Sequence, residues 1–516
     1  MYEAIGYRHA AATGHPLATQ AAIGALRQGG SAVDAAIAAN AMLAVAQPDS
    51  CGLGGDLFAL VYRAEDQSVR AYSAAGPVGS ALRRDLLPAS GAMPQRGPLT
   101  VTLPGAVAGW DLLHSRYGRL TWPQLLEGAA RVAEQGFPLS RKVARALAAA
   151  VDFADAAFLA AFAPNGAPKP GDLQRSPDLA RTLRALAADG PSWFYLGRFA
   201  ETLERTLSAG GGAVVRADMA AFRAEEATPL EATYRGRRII VTPPPSQGVT
   251  LLVALSILEG LSAAGAAEDP ATAHVTAEVL RCALALRDEL LADPRFAPAD
   301  WDDVLAGPRV AAASSAIAAG APWLPSPPLR EGGTTFLCTV DDAGDACALI
   351  QSNYMGVGSG VMVPGFGVHL QNRGAYFSLD EGHPNAIAPG KRTAHTLMAT
   401  MVLGEEGLET VMGAMGGDGQ AQTNLQILRR LIDWGEGLEE AIGAPRLRVG
   451  FGDPPGLQLE AGLAGLAQAL EGLGHTVRVG AARMDEMGHA QAICRSAQGL
   501  LRAAADPRGD GIAWAE

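Results

Sequence analysis

The segment Glu331-Gly332-Gly333-Thr334-Thr335-Phe336-Leu337-Cys338-Thr339-Val340-Asp341 places two glycines before two threonines and a short apolar run. The apolar run is typical of a strand, and a strand entered through a Gly-Gly turn is the simplest interpretation. A second interpretation also explains the hydroxyl groups. If the Gly333–Thr334 bond were cut, Thr334 would become an N-terminus that carries a hydroxyl nucleophile and, on the same residue, an α-amine able to act as its base.

Size, charge and composition exclude several classes of function. The chain has 516 residues, of which 48% are hydrophobic, enough for two or three average domains or one large one. The net charge of −12 argues against nucleic-acid binding. The five cysteines form no C-x-x-C pair and the nine histidines form no H-E-x-x-H motif, so the sequence predicts neither a metal site nor a disulfide framework.

The chain start has no basic stretch followed by an apolar one, so no secretory signal is expected. The apolar run near residues 35–46 is too short to cross a bilayer. We therefore expect a cytoplasmic protein with no membrane partner.

The order of the predicted elements favours stacked sheets between helical layers. Helices are expected over residues 15–47 (divided at Gly29-Gly30, with Ser31 as a cap), 105–225, 248–292, 419–434 and 461–472. Strands are expected over residues 57–62, 238–242, 335–340, 346–351 and 397–403. Residues 296–333 are rich in Ala and Pro, and we expect an exposed connector that leads to the cleavage point. Strands at both ends with helices between them fit layered sheets better than a regular βαβ series.

The sequence contains three glycine clusters, and they indicate different kinds of loop. Gly52-x-Gly54-Gly55 and Gly356-x-Gly358-x-Gly360 lack the strand, glycine, helix order of a dinucleotide site. Met415-Gly416-Gly417-Asp418-Gly419-Gln420 lies before a predicted helix, where consecutive glycine N–H groups can hold one anion as an oxyanion hole does. A plain glycine turn with Asp418 as the helix N-cap is the alternative.

Taken together, these features resemble the γ-glutamyltranspeptidase family of N-terminal-nucleophile hydrolases over nearly the whole chain. The segments that carry the resemblance are residues 15–18, 26–36, 47–55, 103–109, 234–236, 243–248, 332–335, 389–392, 415–417 and 444–446.

The resemblance implies an α+β fold, a four-layer αββα sandwich built from both halves of a self-cleaved precursor. The halves would be residues 1–333 and 334–516, which stay associated as one compact domain; whether that pair forms a homodimer is left open. No cofactor is implied. Thr334 takes the position of the nucleophile, Gly416 and Gly417 that of the oxyanion hole, and Ser352 that of a second threonine that hydrogen-bonds the nucleophile.

The substrate pocket departs from the pattern of true γ-glutamyl enzymes. Ser73 stands where those enzymes have the arginine that clamps the substrate α-carboxylate, and Tyr376 stands where an acid pairs with the α-amine. His395-Thr396 replaces a Ser-Ser pair, and Tyr354 replaces an asparagine. Loss of both charged partners normally costs several kcal/mol of affinity.

Residues 372–385 resemble the branch of the family that includes oxamate amidohydrolase. Arg373 is its candidate carboxylate clamp, because a guanidinium fork matches a carboxylate bidentately; an exposed arginine at a strand end is the alternative. His395 is a second candidate for binding the substrate carboxylate, and a position in a solvated polar loop is the alternative.

The leading hypothesis is a self-processing amidohydrolase whose partner is a small amide that carries a carboxylate. A genuine γ-glutamyltransferase or glutathione hydrolase is the first alternative, and a non-catalytic binding relative is the second.

Overall fold

The computed structural model describes residues 3–89, 91–261, 265–320, 329–330, 332–452 and 455–516. The strands of these residues, in chain order, are β1 (Ala4–Gly6), β2 (Ala10–Thr13), β3 (Asp56–Arg63), β4 (Ser68–Ala74), β5 (Phe137–Pro138), β6 (Leu173–Gln174), β7 (Glu225–Ala227), β8 (Leu230–Tyr234), β9 (Arg237–Val241), β10 (Gly333–Val340), β11 (Ala346–Tyr354), β12 (Met362–Val363), β13 (Val368–His369), β14 (Thr400–Gly404), β15 (Gly407–Ala414), β16 (Leu447–Phe451), β17 (Gly456–Leu459), β18 (Val477–Val479), β19 (Ala490–Arg495), β20 (Leu501–Ala505) and β21 (Ile512–Ala515).

The α-helices of the same residues are α1 (Pro16–Arg27), α2 (Ala32–Ala46), α3 (Ala106–Tyr117), α4 (Trp122–Gln135), α5 (Arg141–Ala150), α6 (Ala156–Phe162), α7 (Pro177–Asp189), α8 (Ser192–Leu196), α9 (Arg198–Ser208), α10 (Arg216–Ala221), α11 (Gly248–Glu259), α12 (Pro270–Leu290), α13 (Trp301–Ala306), α14 (Pro308–Ala318), α15 (Gln420–Ile432), α16 (Leu438–Gly443) and α17 (Ala467–Gly472). Short 3-10 helices cover Arg84–Leu86, Pro98–Thr100, Arg373–Tyr376, Gly417–Gly419, Ala461–Leu466 and Asp485–Met487. None of the helices in the described ranges combines the length and the apolar character that a membrane span requires.

Two antiparallel sheets, each of seven strands within the described residues, form the centre of the molecule. The strand order is β1-β20-β19-β15-β14-β9-β8 in the first sheet and β21-β2-β10-β11-β3-β4-β7 in the second. Each sheet takes strands from both sides of residue 333, so neither half of the chain can build these sheets alone.

The apolar side chains fill three layers. Phe58, Phe336 and Val411 lie in the core between the two sheets. The next residue on β10, Leu337, points to the opposite face, where the second sheet packs against helices that include α1, α2 and α4. Met412 lies on the outer face of the first sheet, against α11, α12 and α15. The result is a four-layer αββα sandwich, which confirms the predicted fold class.

The residues near the chain start begin and cap helices as the sequence predicts. Pro16 is the first residue of α1, and Ser31 caps α2 through a reciprocal capping box with Asp34. Every residue of α2 is buried because its many alanines let neighbouring elements approach on all sides.

The two strands predicted over residues 335–340 and 346–351 are confirmed, and they pair as an antiparallel hairpin. β10 pairs with β11 from Phe336 opposite Ile350 to Val340 opposite Ala346. The register is irregular between Gly333 and Thr335, so Thr334 lies at a bulge at the start of the strand. Bulges change the direction in which a side chain points and are frequent beside active sites.

Two structural expectations need correction. The stretch 296–333 is not simply an exposed connector, because α13 and α14 lie within it and bury Trp301, Val310 and Ile317; residues 321–328 and 331 lie outside the described residues. The expected strand at residues 397–403 begins only at Thr400, after an irregular buried stretch that contributes to the site described below.

The contact between the sheets can be tested at Gly413 on β15. An added Cβ there would lie 2.4 Å from the ring of Phe336, so we expect Gly413→Ala to lower the free energy of unfolding by about 1–3 kcal/mol. Gly128→Ala on α4 is the matched control, because an added Cβ meets nothing within 4 Å and the helix should gain about 0.5–1 kcal/mol. Denaturant unfolding of both variants measures the difference. Equal stability of the two variants would contradict this packing.

Candidate active site

Thr334 and Ser352 meet at the start of the central hairpin. The Thr334 side chain is 2% exposed, and its hydroxyl has no hydrogen-bond partner among the described residues. The Ser352 hydroxyl donates to the carbonyl oxygen of Gly333 at 2.5 Å and accepts from the Tyr354 N–H at 2.7 Å. Ser352 therefore polarises the carbonyl of the peptide that joins Gly333 to Thr334. The family resemblance instead implied a hydrogen bond from this position to the Thr334 hydroxyl.

The glycine pair lies against the same segment. Gly416 and Gly417 have φ values of 136° and 57°, which favour glycine. Their N–H groups have no acceptor among the described residues, whereas the carbonyl of Gly417 accepts from the Gln247 side chain at 2.9 Å. An added Cβ on Gly332 would lie 3.2 Å from the Cα of Gly417, so the glycine loop touches the backbone just before Thr334. Two free N–H groups at this place can stabilise an oxyanion.

A buried carboxylate holds the glycine loop in place. Asp418 Oδ1 accepts from the Tyr376 hydroxyl at 2.8 Å and from Arg287 at 2.9 Å, and Oδ2 accepts from the Arg330 N–H at 2.8 Å. The alternative that Asp418 caps α15 is wrong, because Gly419 is the N-cap residue. No motif in the sequence pointed to Arg287 or Arg330, and the only signal for Asp418 was its position next to the glycine pair.

Tyr376 remains a neutral phenol in this network. Burial, reinforced by Asp418 and opposed by Arg287, raises the pKa of Tyr376 well above its ordinary value. Burial alone would lower the pKa of Arg287, but the contributions of Asp418, Tyr376 and Asp288 together outweigh burial and raise that pKa, so Arg287 keeps its positive charge beside Asp418. Tyr376 thus donates its proton to Asp418 and presents no charge to a ligand.

Arg373 is buried, and the interpretation of it as an exposed arginine is wrong. Its guanidinium stacks 4.2 Å above the centre of the Tyr354 ring, and Nη1 donates to the Thr396 hydroxyl at 3.1 Å. Nε lies 4.0 Å from Asp56 Oδ2. Nε and Nη2 have no hydrogen-bond acceptor among the described residues. Unpaired buried N–H groups on a cation are costly, and an incoming carboxylate would satisfy both at once.

His395 is also buried rather than solvated. Its Nε2 donates to Asp56 Oδ2 at 3.0 Å, and its Nδ1 accepts from the Leu397 N–H at 3.3 Å. Burial, followed by the positive charge of Arg373, lowers the pKa of His395 to about 4. A neutral His395 thus positions Asp56 beside Arg373. Asp56 was not among the site residues predicted from the sequence.

Ser73 joins this group at its edge. It lies on β4 opposite Phe58, whose ring centre is 4.8 Å from that of His395. The Ser73 hydroxyl is buried and has no partner among the described residues. The structure therefore places Ser73 next to Phe58, which separates it from His395.

A cavity of about 300 Å³ lies on the Tyr376 side of this cluster, and neither Arg373 nor Thr334 lines it. Its lining includes Tyr376, Arg330, Asp418, His383 and Asn385. Its volume suits a small organic molecule.

The comparisons with known proteins agree on one family. The family model described as gamma-glutamyltranspeptidase matches residues 18–515. The chain is 37% identical to the glutathione hydrolase-like YwrD proenzyme of Bacillus subtilis, over 99% of this chain and 98% of that protein. It is 38% identical to the oxamate amidohydrolase proenzyme of Klebsiella pneumoniae, over 97% of each chain. The crystal structure of cephalosporin acylase from Bacillus halodurans superposes with a TM-score of 0.92 at 32% identity, over 100% of this chain and 97% of that one.

The low pKa of His395 predicts a loss of stability in acid. The unfolded chain holds this proton with a pKa of about 6.5, so it binds the proton more readily than the folded chain, and stability falls as the pH drops from about 6.5 towards 4. We expect this residue to contribute about 2 kcal/mol to the loss between pH 7 and pH 5. Urea unfolding at both pH values measures it. His395→Asn should show a smaller pH effect, and an unchanged effect would contradict the assignment.

Proposed function

The chain belongs to the γ-glutamyltranspeptidase family, and we propose that it is a self-processing amide hydrolase with Thr334 as its nucleophile. It first cuts its own Gly333–Thr334 bond and then hydrolyses small amides that carry a carboxylate. The observation that carries the proposal is the hydrogen bond from Ser352 to the Gly333 carbonyl, next to a buried Thr334 hydroxyl without a partner among the described residues. The relatives named as proenzymes support the same reading.

Self-cleavage proceeds by an acyl shift. The Thr334 hydroxyl adds to the carbonyl carbon of Gly333, while Ser352 donates a hydrogen bond to the carbonyl oxygen as negative charge develops there. The C–N bond then breaks, the Thr334 nitrogen takes up a proton, and an ester joins Gly333 to the Thr334 oxygen. Water hydrolyses the ester and leaves a carboxylate on Gly333 and a free amine on Thr334.

Substrate turnover uses the free α-amine that cleavage creates on Thr334. The neutral α-amine of Thr334, with an ordinary pKa of about 7.7–8.0, takes the hydroxyl proton as the hydroxyl attacks the substrate amide. The N–H groups of Gly416 and Gly417 stabilise the oxyanion, and water releases the acyl group. The first fragment's last residues must leave the glycine loop beforehand, because Gly332 lies against Gly417 in the uncut chain.

The charges of the pocket favour a carboxylate without a neighbouring ammonium group. Arg373 offers two unpaired N–H groups among the described residues, and Thr396 and Tyr354 hold its guanidinium in place. Tyr376 is neutral, and the carboxylate behind it, Asp418, already pairs with Arg287. A substrate ammonium group would find no free negative charge there, which is why a glutamyl group is disfavoured.

The first prediction of this proposal concerns cleavage. Thr334→Ala should leave a single uncut chain, and Ser352→Ala should slow cleavage by about 10²–10³-fold, since it removes one donor from the developing oxyanion. Ser352→Thr keeps the hydroxyl and should cleave. Ser314→Ala is the matched control, because Ser314 is also a buried serine that donates to a backbone carbonyl, on α14. Denaturing electrophoresis gives the rates. N-terminal sequencing of the small fragment must give Thr334, and any other start would refute the proposal.

The second prediction concerns specificity. Arg373→Met should raise KM for a carboxylate-bearing amide such as oxamate by about ten- to a hundredfold, because a charge-assisted hydrogen bond is worth about 1.5–3 kcal/mol. Self-cleavage involves no carboxylate ligand and should change little. Ammonia release measures turnover. Glutathione should be a poor substrate for the wild-type enzyme, and a kcat/KM for glutathione above that of every small amide would support the γ-glutamyl alternative instead.

A further inference from the structure

A second group of ligating side chains lies away from Thr334. His274 and Glu278 are four residues apart on α12, which places them on the same face of the helix, and His475 lies just before β18. His274 Nδ1 and His475 Nε2 are 2.7 Å apart, and His475 Nδ1 is 3.9 Å from Glu278 Oε1. One ligand atom from each residue lies within 4.8 Å of the others.

The chemistry of the three groups suits a transition metal. Zinc binds imidazole nitrogen at about 2.0–2.1 Å, so the ligand atoms of a tetrahedral site lie about 3.3 Å apart. One ligand atom from each of the three residues lies within 4.8 Å of the others, so modest side-chain shifts would bring the three atoms to the spacing that one ion requires. Two imidazoles and one carboxylate favour zinc, cobalt or nickel over magnesium or calcium.

The surroundings of the cluster also fit an ion. The His475 side chain is 1% exposed, and its Nδ1 has no hydrogen-bond partner among the described residues. Arg281 contacts the Glu278 carboxylate, an outer partner of the kind that orients ligating carboxylates. His274 is only half-buried and leaves a path by which an ion, and water as a fourth ligand, could enter.

We propose that His274, Glu278 and His475 form a structural binding site for a divalent transition metal, with zinc preferred. The ion does not take part in the reaction, because Arg287, the residue of α12 that reaches Asp418, lies nine residues beyond Glu278, about 13 Å along the helix. Its role is to join α12 to the three-stranded sheet of β16, β17 and β18. His274 and Glu278 precede residue 334 and His475 follows it, so after the cleavage proposed above the ion would also link the two fragments.

No sequence motif indicates this site, because its third ligand lies about two hundred residues from the other two. A metal-free, hydrogen-bonded cluster is the rival explanation. A metal-free cluster would not bind added metal, whereas the proposed site would bind it.

Metal titration of the full-length, tag-free protein distinguishes these explanations. After dialysis against a chelator, CoCl₂ should bind at one equivalent per chain with the visible absorption of a low-symmetry cobalt site, and ZnSO₄ should displace it. Zinc should raise Tm by about 2 °C or more, while MgCl₂ should not. Repeating the titration in Thr334→Ala separates metal binding from cleavage, since binding does not require a cut chain.

Single substitutions assign the ligands. His475→Gln and His274→Gln should each weaken cobalt binding by about tenfold or more. Glu278→Gln, which keeps the size of the side chain, provides the same test if a histidine variant fails to fold. His114→Gln is the matched control, because His114 is a half-buried histidine that stacks on Trp122 in another part of the fold. Absence of cobalt binding to the wild-type chain, or binding that is the same in all of these variants, would overturn the proposal.

Discussion

The hydrogen bond from Ser352 to the Gly333 carbonyl is the interaction on which the rest of the site depends. It can form only because β10 and β11 are neighbours in the second sheet and because the bulge at Thr334 turns the backbone there. The hairpin is held in turn by β2 on one side and β3 on the other, both from the first part of the chain. The chemistry at Thr334 thus rests on a strand arrangement that needs the whole chain.

Two buried carboxylates, Asp418 and Asp56, differ in how completely the groups around them are hydrogen-bonded. Asp418 is fully engaged by Arg287, Tyr376 and the backbone of Arg330, so its network fixes the glycine loop and has little capacity left for a ligand. Asp56 accepts from His395, Gln371 and the Gly76 N–H, and it lies only at the edge of hydrogen-bonding range from Arg373. The guanidinium of Arg373 is therefore the group whose hydrogen-bonding capacity is left unsatisfied. A buried cation in that state favours an anionic ligand more strongly than an exposed one would, because water does not compete for it.

The sequence predicted the features that depend on neighbouring residues. Pro16 and Ser31 marked helix starts, short apolar runs marked the two strands of the hairpin, and the glycine pair before α15 marked a loop with free N–H groups. It could not predict features that depend on distant contacts. Arg373 and His395 were candidate substrate-binding residues with a solvent-exposed position as the alternative, and only the fold shows that both are buried beside Asp56. The helices at 301–318 were missed because short alanine-rich turns carry little periodicity, and their apolar residues acquire meaning only against α11 and α12.

The position of the proposed cut also explains how a chain can be severed in its core and keep its fold. Residues from Phe336 to Val340 remain paired with β11, and those from Leu337 onward also remain paired with β2, so cleavage before Thr334 removes no pairing in the body of the strand. The interleaved sheets then keep the two fragments together without a covalent link. What the cut releases is the short stretch ending at Gly333, which lies against Gly417 and Tyr354 in the uncut chain. In the proposed mechanism, release of that stretch opens the glycine loop to a substrate, so the bond whose cleavage would generate the nucleophile would also keep the precursor closed.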